Sequence, residues 1–310
     1  MDMRKILITG GAGNIGGSLA RRLVDDRDNY VVVVDNLLSG DTSKLPPADR
    51  SNFRFEKCDV NDAGELSKVM EATSFDFVFH YAAVVGVQRT LANPILVLND
   101  IEGIKNILRL SERTKVKRVF YSSSSEVYGE PVEVPQNERT TPLNSRLPYA
   151  IVKNLGEAYF RSFYQEYGLE YTIFRFFNTY GPLQSNDFVI SRFISAALKN
   201  QPMTIYGDGS QTRTFCFVDD NLDLTTKVLY EGHFKNDVVN VGSDGEMTIL
   251  SLAVLIKDVL QSQSQIIHLP PLAEGDMARR QPDISKMRKV LDRKLTSLED
   301  GILQVAKSMA

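Results

Sequence analysis

Tyr149, Lys153 and Ser124 have the side-chain types and the spacing to carry out acid–base chemistry on an alcohol. Tyr149 and Lys153 are four residues apart in LPYAIVKNLGE, so on a helix both would project from one face. A phenol with a pKa near ~10 is a poor base at neutral pH, but a nearby ammonium stabilises its phenolate. Ser124 lies in YSSSSEVYGEP, which follows an apolar run typical of a strand. This serine run is either loop filler, because small hydroxyl side chains suit turns, or a chemical group held at a strand end.

Alternating strand and helix patterns in the first half of the chain supply a frame for these residues. Short apolar or alternating runs predict strands at 5–10, 30–35, 52–58, 75–80, 116–122 and 170–176. Helical periodicity occurs near 15–25, 62–72, 94–115 and 149–167. Continuous apolar runs are typical of strands that are buried on both faces of a sheet. The alternation therefore predicts an α/β fold with a doubly wound parallel sheet.

The pattern changes after about residue 177, where loop-rich stretches separate the apolar segments. Helices are expected around 187–199, 219–231, 248–261 and 284–291. We expect a first domain at 1–177, with the cofactor and the catalytic residues, and a smaller, mostly helical C-terminal subdomain at 178–310 that binds substrate. The boundary is approximate, because the chain is expected to pass back and forth between the two.

A glycine-rich turn between the first strand and the first helix predicts a dinucleotide site. In ITGGAGNIGG, Gly10, Gly13 and Gly16 follow the pattern G-x-x-G-x-x-G. A pyrophosphate must lie on backbone N–H groups at a helix N-terminus, where larger side chains would collide with it. Asp35 ends the second strand about 20 residues beyond the loop, where its carboxylate can accept both ribose hydroxyls. No arginine adjoins Asp35 to hold a 2′-phosphate, so this Rossmann-type pattern favours NAD over NADP.

Further positions at strand ends agree with bound NAD, although each also has a simpler interpretation. Asp59, in CDV, can reach the adenine edge or act as an ordinary loop or cap aspartate. The small residues of HYAA (80–83) let the backbone pass close to a ligand or simply allow tight packing. The remaining NAD contacts predicted around these motifs are Asn14, Ile15, Asn36, Val60, Tyr81, Ala82 and Ala83, with Tyr149 and Lys153 beside the nicotinamide ribose.

Composition excludes several other classes of function. The 310-residue chain has a net charge of −3, which gives no electrostatic reason to expect nucleic acid or an anionic membrane as a partner. The three histidines are scattered without a metal-ligand spacing, so no metal site is predicted. Cys58 and Cys216 have no spacing motif and are expected to be reduced, in a cytoplasmic protein. No apolar run reaches the ~18 residues of a membrane span.

Taken together, the motifs resemble those of the extended short-chain dehydrogenases/reductases of the nucleotide-sugar epimerase/dehydratase type. The resemblance covers essentially the whole chain, through TGGAGNIGG, DNLLSG, HYAA, NDIEGIKNIL, SSSSEVYGEP, the Tyr-x-x-x-Lys pair, RFFNTYGP, YGDGSQTRTFCFVDD and EGDMARRQPDISK. No single motif is specific to this family, but the set of motifs together is. Asn14 departs from the family, whose members usually carry an aromatic residue at that position of the glycine loop.

The resemblance implies roles for individual residues. Ser124 would bond the sugar hydroxyl or ketone at C4, while Tyr149 removes the C4 hydroxyl proton as hydride moves to NAD. Asn99 resembles the family's helix asparagine, which supports the active site and is counted with the NAD contacts. The implied substrate is a UDP- or GDP-linked sugar, bound by Ser124, Ser125, Glu126, Asn178, Arg213, Asp276 and Arg280. Relatives commonly dimerise through the helices matching 94–115 and 149–167, so a homodimer is expected.

The net reaction that follows C4 oxidation stays open at this point. Among the possible activities, we rank a 4-epimerase first. A net C4 dehydrogenase of a nucleotide-linked sugar or heptose and a UDP-glucuronate decarboxylase rank second, and a 4,6-dehydratase ranks last. Glu126, counted with the catalytic residues, bears on the choice, because dehydratases and decarboxylases of this type have a glutamate two residues after the catalytic hydroxyl. The alternative is that the Glu126 carboxylate only orients the loop. An NAD-binding sensor without catalysis is disfavoured, because Ser124, Tyr149 and Lys153 are all present.

Overall fold

Parallel strands form the central sheet of the protein, whose computed structural model describes residues 3–271 and 279–309. The strands are β1 (Arg4–Thr9), β2 (Asn29–Asp35), β3 (Phe53–Lys57), β4 (Phe77–His80), β5 (Arg118–Ser124), β6 (Glu170–Phe176), β7 (Thr179–Tyr180), β8 (Met203–Tyr206), β9 (Thr212–Thr214), β10 (Cys216–Phe217), β11 (Asp237–Val241), β12 (Glu246–Thr248) and β13 (Ile266–Leu269). Seven of them pair in the order β11-β6-β5-β4-β1-β2-β3, and every pairing in this sheet is parallel.

The helices cover both faces of this sheet. They are α1 (Asn14–Val24), α2 (Ala63–Ala72), α3 (Val87–Ala92), α4 (Pro94–Arg113), α5 (Pro148–Tyr167), α6 (Val189–Leu198), α7 (Val218–Glu231), α8 (Ile249–Val259), α9 (Ser285–Leu291) and α10 (Leu298–Met309), with 3₁₀ helices at Thr42–Lys44 and Ser125–Tyr128. Side chains of α2, α4 and α5 pack on one face, and those of α1 and α7 pack on the other. This arrangement confirms the predicted α/β, doubly wound fold.

The strand order places a crevice at the carboxyl ends of β1 and β4. From β1 the chain proceeds to β2 and β3 on one side, then returns to β4 on the other side and continues through β5 and β6. Doubly wound sheets bind ligands where the order reverses in this way. The residues that follow β1, β4 and β5 therefore meet at one edge of the sheet.

Local sequence explains why the catalytic helix begins and ends where it does. Pro148 occupies the first turn of α5, where a missing N–H costs nothing, and Gly168 ends the helix in the left-handed region at φ 73°. In β2, the side chains of 31–34 are all fully buried, as the continuous valine run predicts.

The second half of the chain is divided between the sheet and a separate layer. β11 forms an edge strand of the main sheet, and α7 packs against α1, so the chain does pass back to the first unit. The pairs β7–β10, β9–β12 and β8–β13 form short sheets that the sequence pattern did not predict. The division at residue 177 stays a prediction. Within the described ranges, no helix combines the length and the apolar character needed to span a membrane.

Candidate active site

The glycine loop packs so closely against neighbouring backbone at the N-terminus of α1 that side chains at Gly10 and Gly16 would collide with it. Gly10 has φ +68°, and a Cβ there would lie 2.6 Å from the Ala82 amide nitrogen. A Cβ on Gly16 would lie 2.4 Å from the Gly10 carbonyl oxygen. Gly13 caps α1 without a side-chain hydrogen bond, so the first N–H groups of the helix are available to an anion. These are the properties of a pyrophosphate cradle.

A second group of predicted NAD residues surrounds the end of β2. The Asp35 carboxylate accepts hydrogen bonds from the Ala12 N–H at 3.0 Å and the Leu37 N–H at 2.8 Å, which holds it beside the glycine loop. Asn36 Nδ2 donates to Asp59 Oδ2 at 3.2 Å. The structure thus brings Asp35, Asn36 and Asp59 to one side of the loop, as a site for an adenosine ribose requires.

Asn14 and its neighbours show how the rest of this cradle is built. Asn14 Oδ1 is buried without a hydrogen-bond partner in the described part of the chain, and it lies at the first residue of α1. Ile15 is half-buried, and Val60 is buried against Gly103. A buried orphan oxygen is costly unless a ligand or water satisfies it. The residues present therefore fit an NAD molecule bound across the loop.

The end of β4 is fixed by hydrogen bonds to Thr9 at the end of β1. The backbone N–H groups of Tyr81 and Ala82 donate to Thr9 Oγ1 at 3.2 and 3.1 Å, and His80 Nδ1 is hydrogen-bonded to the same oxygen at 2.9 Å. Burial lowers the pKa of His80 to about 3, so its ring is neutral and serves a structural purpose. Ala83 follows in the irregular segment after β4 and is half-buried.

The three residues expected to carry the chemistry lie beside this cradle. Ser124 ends β5; its Oγ accepts a hydrogen bond from the Glu126 N–H at 3.2 Å, and its hydroxyl is near enough to Tyr149 to lower the pKa of that phenol. On α5, Lys153 Nζ lies 5.8 Å from the centre of the Tyr149 ring. Lys153 donates to the Ser122 carbonyl at 2.6 Å and to the Ser122 hydroxyl at 3.3 Å. The strand end and the helix face thus place a hydroxyl, a phenol and an ammonium together.

Burial disfavours the ionised forms of both Lys153 and Tyr149, and neighbouring charged and hydrogen-bonding groups partly offset this effect. Burial lowers the pKa of Lys153 to about 8, although Asp100 acts in the opposite direction. Burial, and then Glu126, raise the pKa of Tyr149, whereas the Ser124 hydrogen bond and Arg280 favour the phenolate. The Tyr-Lys spacing alone does not reveal these contributions from Ser124 and Arg280.

Glu126 and Arg280 form an ion pair at the wall of the site. Arg280 Nη2 lies 2.9 Å from Glu126 Oε1, and the two side chains are only 7% and 17% exposed. The pair joins the 3₁₀ turn after β5 to the C-terminal segment, across 154 positions of sequence. Both residues were expected at the site from the sequence, but their contact was not predicted. Ser125, between Ser124 and Glu126, is buried.

Asn99 and its neighbour Asp100 differ in burial, and the NAD contact expected of Asn99 stays a prediction. Asn99 lies on the exposed face of α4. Asp100 Oδ2 accepts a hydrogen bond from the Val84 N–H at 2.7 Å; burial raises the pKa of Asp100, and Lys153 lowers it. Helix periodicity could have found this residue, because position 100 shares a face with the buried Val97 and Ile104. Asp100 is the site residue that the sequence interpretation missed.

The expected substrate residues of the second half lie on neighbouring segments. Asn178 has φ +36°, and its Nδ2 donates to the Thr214 carbonyl at 2.9 Å. Arg213, next to Thr214 on β9, is buried and donates to the Thr212 carbonyl at 2.7 Å. The structure therefore brings Asn178 and Arg213 close together. Asp276 lies outside the described residues.

The cysteines and other metal-binding side chains form no further centre in the described ranges. Cys58 and Cys216 are buried free thiols, and burial raises the pKa of both, that of Cys58 to about 12. Such thiols are inert as nucleophiles at neutral pH. No group of three His, Cys, Asp or Glu side chains there could hold a metal ion.

Comparison with known proteins identifies the family. Residues 6–242 match the profile of the NAD dependent epimerase/dehydratase family. The chain belongs to this family. Its members are NAD-dependent enzymes, which confirms the resemblance read from the motifs and the NAD prediction. Within this epimerase/dehydratase family, the chain is 34% identical over 310 residues to a Methanocaldococcus jannaschii protein provisionally named a UDP-glucose 4-epimerase, with 98% of each chain covered.

Two further members have different named activities. A UDP-N-acetyl-α-D-glucosaminuronate decarboxylase of Bacillus cytotoxicus is 35% identical over 300 residues, covering 93% of this chain and 91% of the relative. The crystal structure of the UDP-glucose 4-epimerase of Thermotoga maritima, solved with UDP-glucose, is 30% identical and superposes with a TM-score of 0.92 over 98% of both chains. The family match therefore leaves epimerase and decarboxylase activities to be distinguished.

Proposed function

We propose that this enzyme oxidises a nucleotide-diphosphate sugar at C4 and acts most simply as a 4-epimerase. The observation that carries the proposal is the position of Ser124, Tyr149 and Lys153 beside the glycine cradle at the carboxyl edge of the sheet. An alcohol oxidation needs a base, a hydroxyl that aligns the substrate and a fixed acceptor. Epimerisation needs the fewest groups beyond these.

In the proposed reaction, each of the three side chains has a separate task. Ser124 hydrogen-bonds the C4 oxygen, and Tyr149 takes the C4 hydroxyl proton. Lys153, held by Ser122, contributes the positive charge that favours a phenolate. NAD, held by the glycine loop, Asp35 and Lys153, would accept a hydride and return it. The ketone then turns, the carbon regains hydrogen on its other face, and Tyr149 returns the proton to the oxygen, so no atom is gained or lost.

The nucleotide diphosphate is proposed to bind between the two halves of the chain. Asn178 and Arg213 lie on adjacent segments, and the forked guanidinium of an arginine suits a diphosphate. Arg280 supplies a further cation at the sugar end. The named substrates of the relatives make UDP-linked sugars the first to test, with GDP-linked sugars next.

The Glu126–Arg280 pair favours a decarboxylase as the second candidate. In a uronic acid, a C4 ketone makes the carboxylate on C5 part of a β-keto acid, which can lose CO₂. A buried cation beside a carboxylate can stabilise the negative charge that develops as CO₂ leaves. The side chains are 7% and 17% exposed, so water screens their charges less than it would at the surface. The named decarboxylase relative also supports this candidate.

Product analysis separates these reactions. Purified protein is incubated with UDP-, GDP- and dTDP-linked sugars, including uronic acids, and the products are identified by mass and NMR. No mass change with inversion at C4 supports the epimerase; loss of CO₂, water or two hydrogens identifies the decarboxylase, dehydratase or dehydrogenase. Tyr149→Phe is the control, because it keeps the ring and removes the base. No turnover of any sugar, or equal turnover by Tyr149→Phe, would contradict the proposal.

We also propose that two copies of the chain associate through α4 and α5. These helices pack on each other and expose apolar side chains, among them Ile95, Leu98, Ile151 and Leu155, which are 69, 39, 42 and 45% exposed. Such a face is typical of an interface. Ile151→Lys should therefore convert a dimer to a monomer in light scattering, and a monomeric wild type would contradict this. A cytoplasmic location stays a prediction from the two isolated thiols.

A further inference from the structure

A buried ion pair lies behind the catalytic residues and has no part in the chemistry proposed above. Glu157 on α5 is 0% exposed, and Arg175 on β6 is 1% exposed. Arg175 Nε and Nη2 donate to the two Glu157 oxygens at 2.8 and 2.7 Å, a bidentate arrangement. Arg175 also holds the pKa of Glu157 below its usual value despite burial, so the carboxylate is ionised.

One side of this ion pair contacts the elements that carry the catalytic groups. Ser123 Oγ donates to Glu157 Oε1 at 2.6 Å, and Ser123 directly precedes Ser124 on β5. Glu157 lies one helical turn beyond Lys153 on α5, on the inner side of that helix. The Glu157 carboxylate therefore ties the end of β5 to the helix that bears Tyr149 and Lys153.

The other side reaches the 3₁₀ turn that carries Glu126. Arg175 Nη1 donates to the Tyr128 hydroxyl at 2.8 Å, and Tyr128 in turn donates to Asn240 Oδ1 at 2.8 Å. Tyr128 is the last residue of the turn that begins at Ser125, and it is 1% exposed. Its hydroxyl thus connects the ion pair to β11 by way of the turn.

From Asn240 the hydrogen bonds continue to the segment that carries Arg280. Asn240 Nδ2 donates to the Gln136 carbonyl at 2.9 Å and to the Asp283 carbonyl at 3.2 Å. Gln136 exchanges backbone hydrogen bonds with this segment, from its N–H to the Gln281 carbonyl at 2.7 Å and from the Asp283 N–H to its carbonyl at 2.8 Å. Gln281 is the residue after Arg280, so the network ends beside the partner of Glu126.

We propose that Glu157, Arg175 and Tyr128 are positioning residues that set the Glu126–Arg280 pair relative to Tyr149 and Lys153. The network connects α5 by hydrogen bonds through the interior to the two segments that carry the members of that pair. Buried ion pairs are often no better for stability than well-packed apolar side chains, so bulk stability alone does not account for this one. Fixed directions of hydrogen bonding are what apolar packing would not supply. The kinetic part of this inference rests on the proposed C4 chemistry.

Tyr128→Phe is the sharpest test, because it removes one hydroxyl and keeps the ring. Tyr230→Phe is a distant control: its hydroxyl also has two polar partners, Asn29 Nδ2 at 2.8 Å and Asp26 Oδ2 at 3.1 Å, but this tyrosine is 43% exposed and lies at the amino end of β2, away from the site. With the nucleotide sugar that the wild type converts, Tyr128→Phe should lower kcat at least ~10-fold with KM changed less than ~3-fold, since the positioned groups act in the transition state. Tyr230→Phe should leave kcat unchanged.

A double-mutant cycle asks whether the effect acts through the pair. In a Glu126→Gln background, Tyr128→Phe should lower kcat less than ~3-fold, because residues of one network are not additive. The proposal would be overturned if the kcat losses of Glu126→Gln and Tyr128→Phe multiply fully in the double variant. It would also be overturned if Tyr230→Phe lowers kcat as much as Tyr128→Phe does. The network would then be a purely structural feature.

Urea unfolding provides a readout that does not depend on turnover. The shift in unfolding midpoint of Glu126→Gln with Tyr128→Phe should be smaller than the two single shifts taken together, whereas Glu126→Gln with Tyr230→Phe should be additive. Additive shifts in both cycles would overturn the coupling even if no sugar is ever converted. Coupled unfolding in a protein that converts no sugar would instead contradict the proposed function alone.

Discussion

Lys153→Met should stabilise the folded enzyme while it abolishes catalysis. Lys153 is 4% exposed, and burial lowers its pKa from 10.5 to about 8, so the folded protein holds the ammonium at a cost. One pKa unit corresponds to about 1.4 kcal/mol, and this fall therefore represents ~3 kcal/mol at neutral pH. Methionine is an apolar side chain of similar length that needs no counter-charge and fills irregular gaps.

The loss of hydrogen bonds offsets part of this gain. Lys153 donates to the Ser122 carbonyl at 2.6 Å and, less closely, to the Ser122 hydroxyl at 3.3 Å. Such hydrogen bonds contribute ~0.5–1.5 kcal/mol each. The two bonds together offset ~1–3 kcal/mol, so the expected net increase in the free energy of unfolding at pH 7 is ~0–2 kcal/mol.

The stability gain of Lys153→Met should disappear as the pH rises, because the folded and unfolded wild-type chains bind different numbers of protons. Between pH 8 and 10.5 the unfolded chain holds the Lys153 proton while the folded chain has released it, so the stability of the wild type rises with pH relative to the variant. Urea unfolding of NAD-free protein, followed by circular dichroism at pH 7 and pH 10, measures both effects. Lys117→Met, at a side chain that is 69% exposed, is the control and should change stability by less than ~0.5 kcal/mol. If the free energy of unfolding of Lys153→Met falls more than ~1 kcal/mol below that of the wild type at pH 7, and this difference does not change with pH, the reasoning is refuted.

Three other substitutions test separate parts of the site. Gly16→Ala should abolish NAD binding in calorimetry, because the new methyl group would lie 2.4 Å from the Gly10 carbonyl oxygen; retained affinity would contradict the cradle. Glu126→Gln should move the acid limb of the kcat/KM profile to lower pH, because the carboxylate raises the pKa of Tyr149 and the base must be ionised; an unmoved or raised limb would count against this. Arg213→Lys should raise the Kd for free UDP ~10-fold in calorimetry, since lysine lacks the forked donors, and unchanged affinity would remove Arg213 from the diphosphate site.

The main sheet could be predicted because its signals are local. A valine run such as 31–34 is apolar at every position only if both faces are buried, and the glycine loop lies between a strand and a helix. The carboxyl ends of parallel strands share one edge, so Ser124 and the glycine loop had to meet there. Tyr149 and Lys153 then needed only helical spacing to join them.

The parts that could not be predicted depend on contacts between distant segments. Nothing in the local sequence pairs Glu126 with Arg280 or links Glu157 to Arg175 and Tyr128, because the tertiary fold alone brings them together. The short strand pairs of the second half have two to four residues per strand, too few to show a period. Asp100 differs from these, because helical spacing alone places it on the same face of α4 as the buried Val97 and Ile104.

The most direct test of the account is NMR analysis of the reaction in D₂O with UDP-glucose and the other nucleotide sugars of the panel. The account predicts a product inverted at C4 whose C4 hydrogen is protium, because that hydrogen is removed and returned within the site rather than taken from solvent. Tyr149→Phe should form this product at least ~100-fold more slowly, as general base catalysis contributes ~10²–10⁴-fold. Deuterium at C4, or equal rates for the wild type and Tyr149→Phe, would contradict C4 oxidation at this site.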